Sequence, residues 1–309
     1  MAPRLSIAVG DYPHTQALKD GRVRSDLFEL EFAQISPINR AFAPMARERR
    51  FDVSEMAIAT FLQAKAYGVA LTLLPIAVAA RFQESALLRR VDSDIRGPAD
   101  LAGRHVGVRA YSQTTGLWLR GALADDFGVA PRDVRWVTFE GAHVLDYADP
   151  AFVERAAPGK DMLTMLRAGE LDAVIVGNDA PDDPAFCTVF PNPSAAADAF
   201  WGKHGFVPIN HMIVARSEIA EGRPAIAQEL RRMFAAAKAA GSQPSERDRA
   251  PIGRTAVENS VVLALRYATA QGLLPRLLSL EEVWRGSPGD TSQSAQPSGR
   301  SVQVPDHGE

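Results

Sequence analysis

Short apolar runs alternate with longer amphipathic segments along most of this chain. The runs have the length of buried strands, and the segments between them repeat apolar residues with helical spacing. Such alternation predicts βαβ units and therefore an α/β fold. We predict strands at 5–9, 28–35, 51–53, 71–79, 106–109, 134–138, 173–176 and 212–215, and helices at 14–20, 37–49, 55–67, 115–127, 161–168 and 224–240.

Two segments of the chain have the composition expected at crossings between two lobes. The apolar stretch that ends at Ala80 is followed by the charged Arg81, and the loop 202–208 precedes the predicted strand at 212–215. We therefore expect a two-lobed protein with a ligand cleft between its lobes. The predicted division is residues 1–82 with 206–285 for the first lobe and residues 83–205 for an inserted second lobe.

The amino-acid composition excludes several functional classes. The 309 residues are 46% hydrophobic, which is enough for a sizeable core, and a net charge of −3 gives no electrostatic reason to expect nucleic acid or a membrane as partner. The lone Cys187 rules out an internal disulfide and a multi-cysteine zinc site. The chain has no GxSxG, P-loop, HExxH or strand-associated GxGxxG motif, so we expect neither a cofactor nor a metal.

The ends of the chain carry no sign of a membrane or secretory segment. The first residues lack a basic segment followed by an apolar stretch, and the longest apolar run, 69–80, is far shorter than the ~20 residues that span a bilayer. We therefore expect a cytoplasmic protein. Residues 286–309 are rich in Gly, Ser, Pro and Gln and are predicted to form a disordered tail.

The strongest local signal is the sequence AYSQTTG, which follows a predicted strand and opens a predicted helix. Its hydroxyl residues are Ser112, Thr114 and Thr115. Hydroxyls and free backbone N–H groups at a helix N-terminus can bind a carboxylate or another anion. The alternative is an ordinary helix cap, a role that Ser and Thr fill in many proteins.

A second strand-to-helix junction contains Ser54 and Glu55. They are candidates for the mouth of the cleft, or else Ser54 caps the helix and Glu55 favours its dipole. Arg81 is either a solvated hinge residue or a fork for a substrate carboxylate. Asn178, in the loop after the predicted strand at 173–176, is a further candidate for substrate binding.

Three histidines lie at predicted strand ends: His14, His143 and His211. A single histidine at a strand edge is more often structural than catalytic. Three of them at strand ends form a more informative set, because α/β proteins place their functional residues there.

Five segments of this chain resemble the 4,5-dihydroxyphthalate decarboxylase family in their order and spacing. They are DYPHTQALKDGRV, FDVSEMAIATFLQAKAYG, LPIAVAARFQ, VGVRAYSQTTGLWLRGAL and PINHMIVAR, and the resemblance covers residues 5 to about 285. It implies an α/β protein with the two-lobed type II periplasmic-binding-protein-like fold. It also implies a cytoplasmic, cofactor-independent enzyme that removes one carboxylate from a dihydroxylated phthalate to give protocatechuate.

This resemblance suggests a role for each candidate residue. Such a reaction needs an anion clamp for the retained carboxylate, partners for the ring hydroxyls and one well-placed acid. We expect His14 and His211 as the acid/base candidates and Glu55 as a catalytic partner for the hydroxyls. The expected substrate-binding residues are Arg81, Ser112, Thr114, Thr115, Ser54 and Asn178.

Two alternatives remain open from the sequence. A non-catalytic cytoplasmic protein that binds a small aromatic carboxylate would use the same cleft and the same clamp. A metal-assisted enzyme would bridge a catechol and Glu55 with Mg²⁺ or Mn²⁺. In each case the partner is a small aromatic carboxylate, with neither nucleic acid nor a membrane, and the sequence leaves open whether the chain forms a homo-oligomer.

Overall fold

In the computed structural model, the described residues 3–177, 180–241 and 243–289 form a five-stranded sheet and a six-stranded sheet. The strands are β1 (Arg4–Ala8), β2 (Glu29–Phe32), β3 (Val53–Ala57), β4 (Leu71–Ala80), β5 (Leu87–Arg90), β6 (His105–Val108), β7 (Arg135–Thr138), β8 (Val153–Arg155), β9 (Ala173–Ile175), β10 (Phe186–Thr188) and β11 (Ile209–Arg216). The helices are α1 (Gln16–Lys19), α2 (Phe42–Glu48), α3 (Ile58–Ala66), α4 (Thr114–Phe127), α5 (Met162–Ala168), α6 (Pro193–His204), α7 (Ser217–Ala220), α8 (Pro224–Gly241), α9 (Arg254–Ala270) and α10 (Leu280–Trp284).

The five-stranded sheet combines early and late parts of the chain. Its strand order is β2-β1-β3-β11-β4, in which β1 is parallel to β2 and β3, and β11 is antiparallel to β3 and β4. The six-stranded sheet has the order β10-β5-β9-β6-β7-β8, and all its strands lie between residues 87 and 188. We retain as a proposal the division into residues 1–82 with 206–285 and residues 83–205, which this allocation of strands supports.

The two crossings between the sheets lie side by side. The backbone N–H of Arg81 donates to the carbonyl of Pro208 at 3.0 Å, and the Gln83 Nε2 donates to the Asn210 Oδ1 at 2.8 Å. Gln83 and Asn210 are both buried. The outward and the return segments are therefore joined by hydrogen bonds at the place where the chain changes lobes.

Trp118 of α4 fastens the second lobe to the first. Its indole Nε1 donates to the carbonyl of Ile209 at 2.9 Å, and its ring lies 5.8 Å from the Tyr267 ring of α9 and 6.4 Å from the Phe200 ring of α6. Trp118 is almost fully buried. Removing such a ring typically costs about 3–5 kcal/mol, so this contact contributes strongly to the orientation of α4.

The prediction of a helix from residue 55 is wrong at its N-terminal end. Residues 53–57 form β3, a central strand in which every residue is buried, and α3 begins only at Ile58. The polar pair Ser54 and Glu55 favours a helix start in the sequence. Pairing with β1 and β11 instead places both residues inside the sheet. The sequence analysis did not predict the short strands β5, β8 and β10 or the helices α6, α7, α9 and α10.

None of the helices in the described ranges combines the length and the apolar character that a membrane span requires. The predicted disordered tail, residues 286–309, lies outside the described residues from position 290 onward.

Candidate active site

A cleft of about 740 Å³ lies between the ends of strands from the two sheets. The first sheet contributes Ala57 at the end of β3, Arg81 after β4 and His211 near the start of β11. The second sheet contributes Arg109 after β6 and Val176 after β9. β11 runs antiparallel to its neighbours, so its first residues lie beside the last residues of β3 and β4.

A buried carboxylate positions one histidine of this cleft. His211 pairs with Ala57 in the register between β11 and β3, so Glu55 is its diagonal neighbour across the strands. The Glu55 Oε1 lies 2.7 Å from the His211 Nδ1, and the Glu55 side chain is fully buried. The Nε2 of His211 is the ring nitrogen left to face a ligand, because Nδ1 contacts the carboxylate.

Two further donors hold the same carboxylate. The Tyr12 hydroxyl donates to Oε1 at 2.7 Å, and the backbone N–H of Gly10 donates to Oε2 at 2.9 Å. Burial alone would raise the pKa of Glu55, but the hydrogen bond and charge of His211, with the Gly10 and Tyr12 donors, hold that pKa below its ordinary value. Glu55 is therefore ionised in the folded protein at neutral pH.

Tyr12 lines the cleft and connects it to Glu55. Burial, and then the charge and hydrogen bond of Glu55, raise the pKa of the Tyr12 hydroxyl well above its ordinary value. The hydroxyl therefore remains a proton donor to Glu55 and keeps that carboxylate in place.

The opposite part of the cleft is suited to an anion. Arg81 donates from Nη2 to the Thr115 Oγ1 at 3.0 Å, and the side chains of Ser112, Thr114 and Thr115 line the cleft at the start of α4. The cap residue of α4 is Gln113, and no side chain makes a cap hydrogen bond there. The hydroxyls of this turn are therefore not the helix cap that the sequence allowed.

Two other cationic side chains line the cleft. The Arg109 Nε lies 3.6 Å from the Glu140 Oε2, and the Lys160 Nζ lies 2.7 Å from the Glu170 Oε2. With Arg81 they place three positive charges around a space that also receives the N-terminus of α4. The same lining contains the carboxylates of Glu140 and Asp161, so its positive charges exceed its negative charges by one. This combination favours an anionic ligand.

His143 is a second imidazole of the cleft. Its Nδ1 lies 2.9 Å from the Thr60 Oγ1, and its ring packs edge-on against Phe42, with 6.0 Å between the ring centroids. The His211 ring also packs edge-on against Phe42, at 4.9 Å. Burial, assisted by the charges of Arg109, Arg47 and His211, lowers the pKa of His143 to about 4.

His14 does not line the cleft as we expected. Its Nε2 lies 3.0 Å from the carbonyl oxygen of Val78, and its ring stacks on Tyr12 at 5.0 Å. The Thr15 hydroxyl donates to the carbonyl of Gly10, which curls the turn so that Tyr12 reaches the cleft and His14 lies behind it. Burial lowers the pKa of His14, so it is neutral at pH 7.

Ser54 and Glu55 also differ from their predicted positions. Ser54 is a fully buried strand residue whose hydroxyl donates to the carbonyl of Glu55 at 2.8 Å. Glu55 lies beneath the cleft wall and reaches a ligand only through His211 and Tyr12. Asn178 lies outside the described residues. Sequence reasoning missed Tyr12, Arg109, Lys160 and Thr60 as lining residues.

No group of three or more His, Cys, Asp and Glu side chains that could hold a metal ion occurs in the described part of the chain.

Comparison with curated proteins gives two relatives of one name. The chain is 29% identical over 255 residues to the 4,5-dihydroxyphthalate decarboxylase of Comamonas testosteroni, covering 76% of this chain and 75% of that protein. It is 30% identical over 212 residues to the 4,5-dihydroxyphthalate decarboxylase of Pseudomonas putida, covering 64% of this chain and 81% of that protein. No model of a protein family matches the chain.

Solved structures establish the fold. The periplasmic aliphatic sulphonate binding protein SsuA of Escherichia coli has a TM-score of 0.63 at 14% identity, covering 100% of this chain and 98% of that chain. The alkanesulfonate-binding protein SsuA of Xanthomonas axonopodis, bound to MOPS, has a TM-score of 0.60 at 16% identity, covering 94% and 100%. The predicted two-lobed type II periplasmic-binding-protein-like fold is confirmed. The sequence relatives, on this fold, show that the chain belongs to the 4,5-dihydroxyphthalate decarboxylase family.

Proposed function

We propose that this protein decarboxylates a dihydroxylated aromatic dicarboxylate of the 4,5-dihydroxyphthalate type, giving a protocatechuate-type product without a cofactor. The names of its relatives support this reaction. The observation that carries the proposal is the buried Glu55, which holds the His211 imidazole in the wall of a cleft that Arg81, Arg109 and Lys160 also line.

The cationic side of the cleft would bind the carboxylate that the substrate retains. Arg81 and Thr115 are already in contact, and Thr114 and Ser112 lie next to them in the lining. A guanidinium and hydroxyls at a helix N-terminus provide several donors converging on one carboxylate. Arg109 and Lys160 add positive charge for the second carboxylate of the substrate.

His211 would supply the proton that replaces the departing carboxylate. The ring hydroxyl para to that carboxylate donates electron density, and the Nε2 proton of His211 is transferred to the ring carbon that bears the carboxylate. The bond from this carbon to the carboxylate then breaks, carbon dioxide leaves, and the bonding electrons restore the aromatic ring. One proton is consumed per turnover, and His211 regains it from water.

Glu55 and Tyr12 would act through His211. An ionised carboxylate at 2.7 Å from Nδ1 fixes the ring orientation and balances the charge when the imidazole is protonated. Tyr12 and the amide of Gly10 keep that carboxylate from rotating away. Simple binding of an anion does not require an imidazole held by a buried carboxylate, so this arrangement supports proton transfer.

The geometry does not favour a metal bridge between Glu55 and a catechol. Both oxygens of Glu55 already contact donors, and the side chain is not part of the cleft lining. Activity that survives exhaustive chelation would agree with this geometry.

Incubation of the purified protein with 4,5-dihydroxyphthalate tests the proposal. We expect release of carbon dioxide and stoichiometric appearance of protocatechuate. Saturable binding without turnover would instead show a binding protein on the same fold. His105→Gln is a matched control, because His105 lies outside the cleft beside Asp172 and should retain full activity.

A further inference from the structure

A loop of the second lobe is held by a side chain of the first lobe. The Arg47 Nε of α2 donates to the carbonyl of His143 at 2.8 Å, and its Nη2 donates to the carbonyl of Ala142 at 3.0 Å. Residues 142 and 143 follow β7 of the six-stranded sheet, whereas α2 precedes β3 of the five-stranded sheet. One guanidinium therefore joins the two sides of the cleft through this loop.

The imidazole of His143 makes a third contact across the cleft. It meets the hydroxyl of Thr60, the third residue of α3, at 2.9 Å. Within the described residues, His143 is the hydrogen-bond partner of this buried hydroxyl. A buried hydroxyl that does not donate its proton is left unsatisfied at a cost in free energy, whereas a neutral imidazole can carry its proton on either nitrogen. Thr60 therefore donates to Nδ1, and the proton of the neutral imidazole is on Nε2.

We propose that His143 is a further substrate-contacting residue, whose Nε2–H donates to a ring hydroxyl oxygen of the substrate, and that Arg47 is the positioning residue that holds it in the closed cleft. This inference rests on the proposed function for the identity of the ligand. It assigns the preference for a hydroxylated ring to a residue outside the carboxylate clamp.

The neutral imidazole of His143 and the side chains in direct contact with it favour a hydroxyl over a carboxylate as its partner. The side chains of the cleft lining that carry the positive charge a carboxylate prefers are Arg81, Arg109 and Lys160. His143 lies beside Thr60 and the apolar ring of Phe42, and its low pKa keeps the imidazole neutral. The positive charges of Arg109 and Arg47 act on His143, but the side chains in direct contact with its ring, Thr60 and Phe42, are neutral. A neutral N–H donor suits a neutral oxygen, and a site built to bond a hydroxyl rejects an analogue that lacks it.

Binding of protocatechuate and benzoate to the full chain tests the proposal without turnover, because neither carries the carboxylate that leaves. We expect tighter binding of protocatechuate by calorimetry. The ratio of the benzoate dissociation constant to the protocatechuate dissociation constant should fall by about tenfold in His143→Leu, which is the range expected for the loss of one hydrogen bond. Benzoate binding itself should stay nearly unchanged. His143→Gln, which keeps an N–H donor, should restore part of the ratio.

Arg47→Met should reduce the same ratio, and Arg47→Lys should restore part of it. Arg50→Met is the matched control, because Arg50 lies nearby on the chain but pairs with Glu48 instead of crossing the cleft. A role of Arg47 in stability alone would lower the melting temperature and leave the ratio unchanged.

Three results would overturn the proposal: no preference for protocatechuate in the wild type, an unchanged ratio of dissociation constants in His143→Leu, or an unchanged ratio in Arg47→Met, which would remove Arg47 as a positioning residue. The proposed function fails separately, if the wild type binds protocatechuate with the expected preference but releases no carbon dioxide from 4,5-dihydroxyphthalate.

Discussion

Replacement of His211 by glutamine separates proton transfer from the geometry that supports it. Glutamine can still donate an N–H to Glu55, which therefore keeps a partner in addition to Gly10 and Tyr12. It cannot deliver a proton to the ring carbon. General acid catalysis typically contributes about 10²–10⁴-fold, so kcat should fall by about that factor while the dissociation constant for protocatechuate changes little.

His211→Ala should behave differently from His211→Gln, because alanine leaves Glu55 without any side-chain partner at this position. When a fully buried carboxylate loses one hydrogen bond to a charged or chargeable group, the free energy of unfolding typically falls by about 1.5–3 kcal/mol. The alanine variant should therefore show a lower melting temperature than the glutamine variant. Thermal unfolding together with steady-state release of carbon dioxide distinguishes the two effects.

His14→Gln is the control for this experiment. His14 contacts a backbone carbonyl and lies outside the cleft lining, so its replacement should leave kcat within about threefold of the wild type, as one neutral hydrogen bond allows. If His211→Gln retains the wild-type kcat, His211 is not the acid. If His14→Gln loses activity without losing stability, His14 takes part in the reaction and its position behind Tyr12 does not describe the working cleft.

Three other perturbations address neighbouring parts of the site. Replacing Thr114 and Thr115 together by valine should raise KM about tenfold or more with little change in kcat, and an unchanged KM would remove them from the carboxylate clamp. Tyr12→Phe deletes one donor to Glu55 and should lower kcat several-fold without altering benzoate binding, which rate and calorimetric measurements would separate. The pKa of Glu55 is lower in the folded than in the unfolded chain, so its contribution to stability is complete above the unfolded pKa and is lost as pH falls through the folded pKa. Urea unfolding between pH 6 and pH 3 should show this loss, and Glu55→Gln should flatten that acid dependence; an equal slope in both proteins would contradict it.

The positions of the hydroxyls in the proposed anion clamp were predictable because these residues are adjacent in the chain. The sequence AYSQTTG follows β6 and opens α4, so local order alone brings its hydroxyls to the end of a strand. Arg81 was predictable for a related reason, since an apolar strand that ends in a guanidinium presents that charge at the same edge.

The positions of the residues that we propose for proton transfer were less predictable, because long-range pairing decides them. His211 was identified as a candidate, but its contact with Glu55 depends on the register between β11 and β3, which no local pattern reveals. The turn that brings Tyr12 and not His14 to the cleft depends on one hydrogen bond, from the Thr15 hydroxyl to the carbonyl of Gly10. His143 reaches Thr60 only through contacts between the two lobes.

The Asn210–Gln83 hydrogen bond relates the movement of the two lobes to the position of His211. Asn210 joins the two crossings, and the next residue along the chain is His211. Asn210 lies inside β11, so a rotation of one lobe that breaks its hydrogen bond to Gln83 would disturb the start of this strand next to the proposed proton donor. We therefore expect opening of the cleft to displace the His211 imidazole, so that the proposed acid is out of position when the product is released. By the same logic, a circular permutant with new termini in the 205–208 loop should bind its ligand poorly and turn over still less, whereas termini placed in the exposed loop after Asp92 should be tolerated.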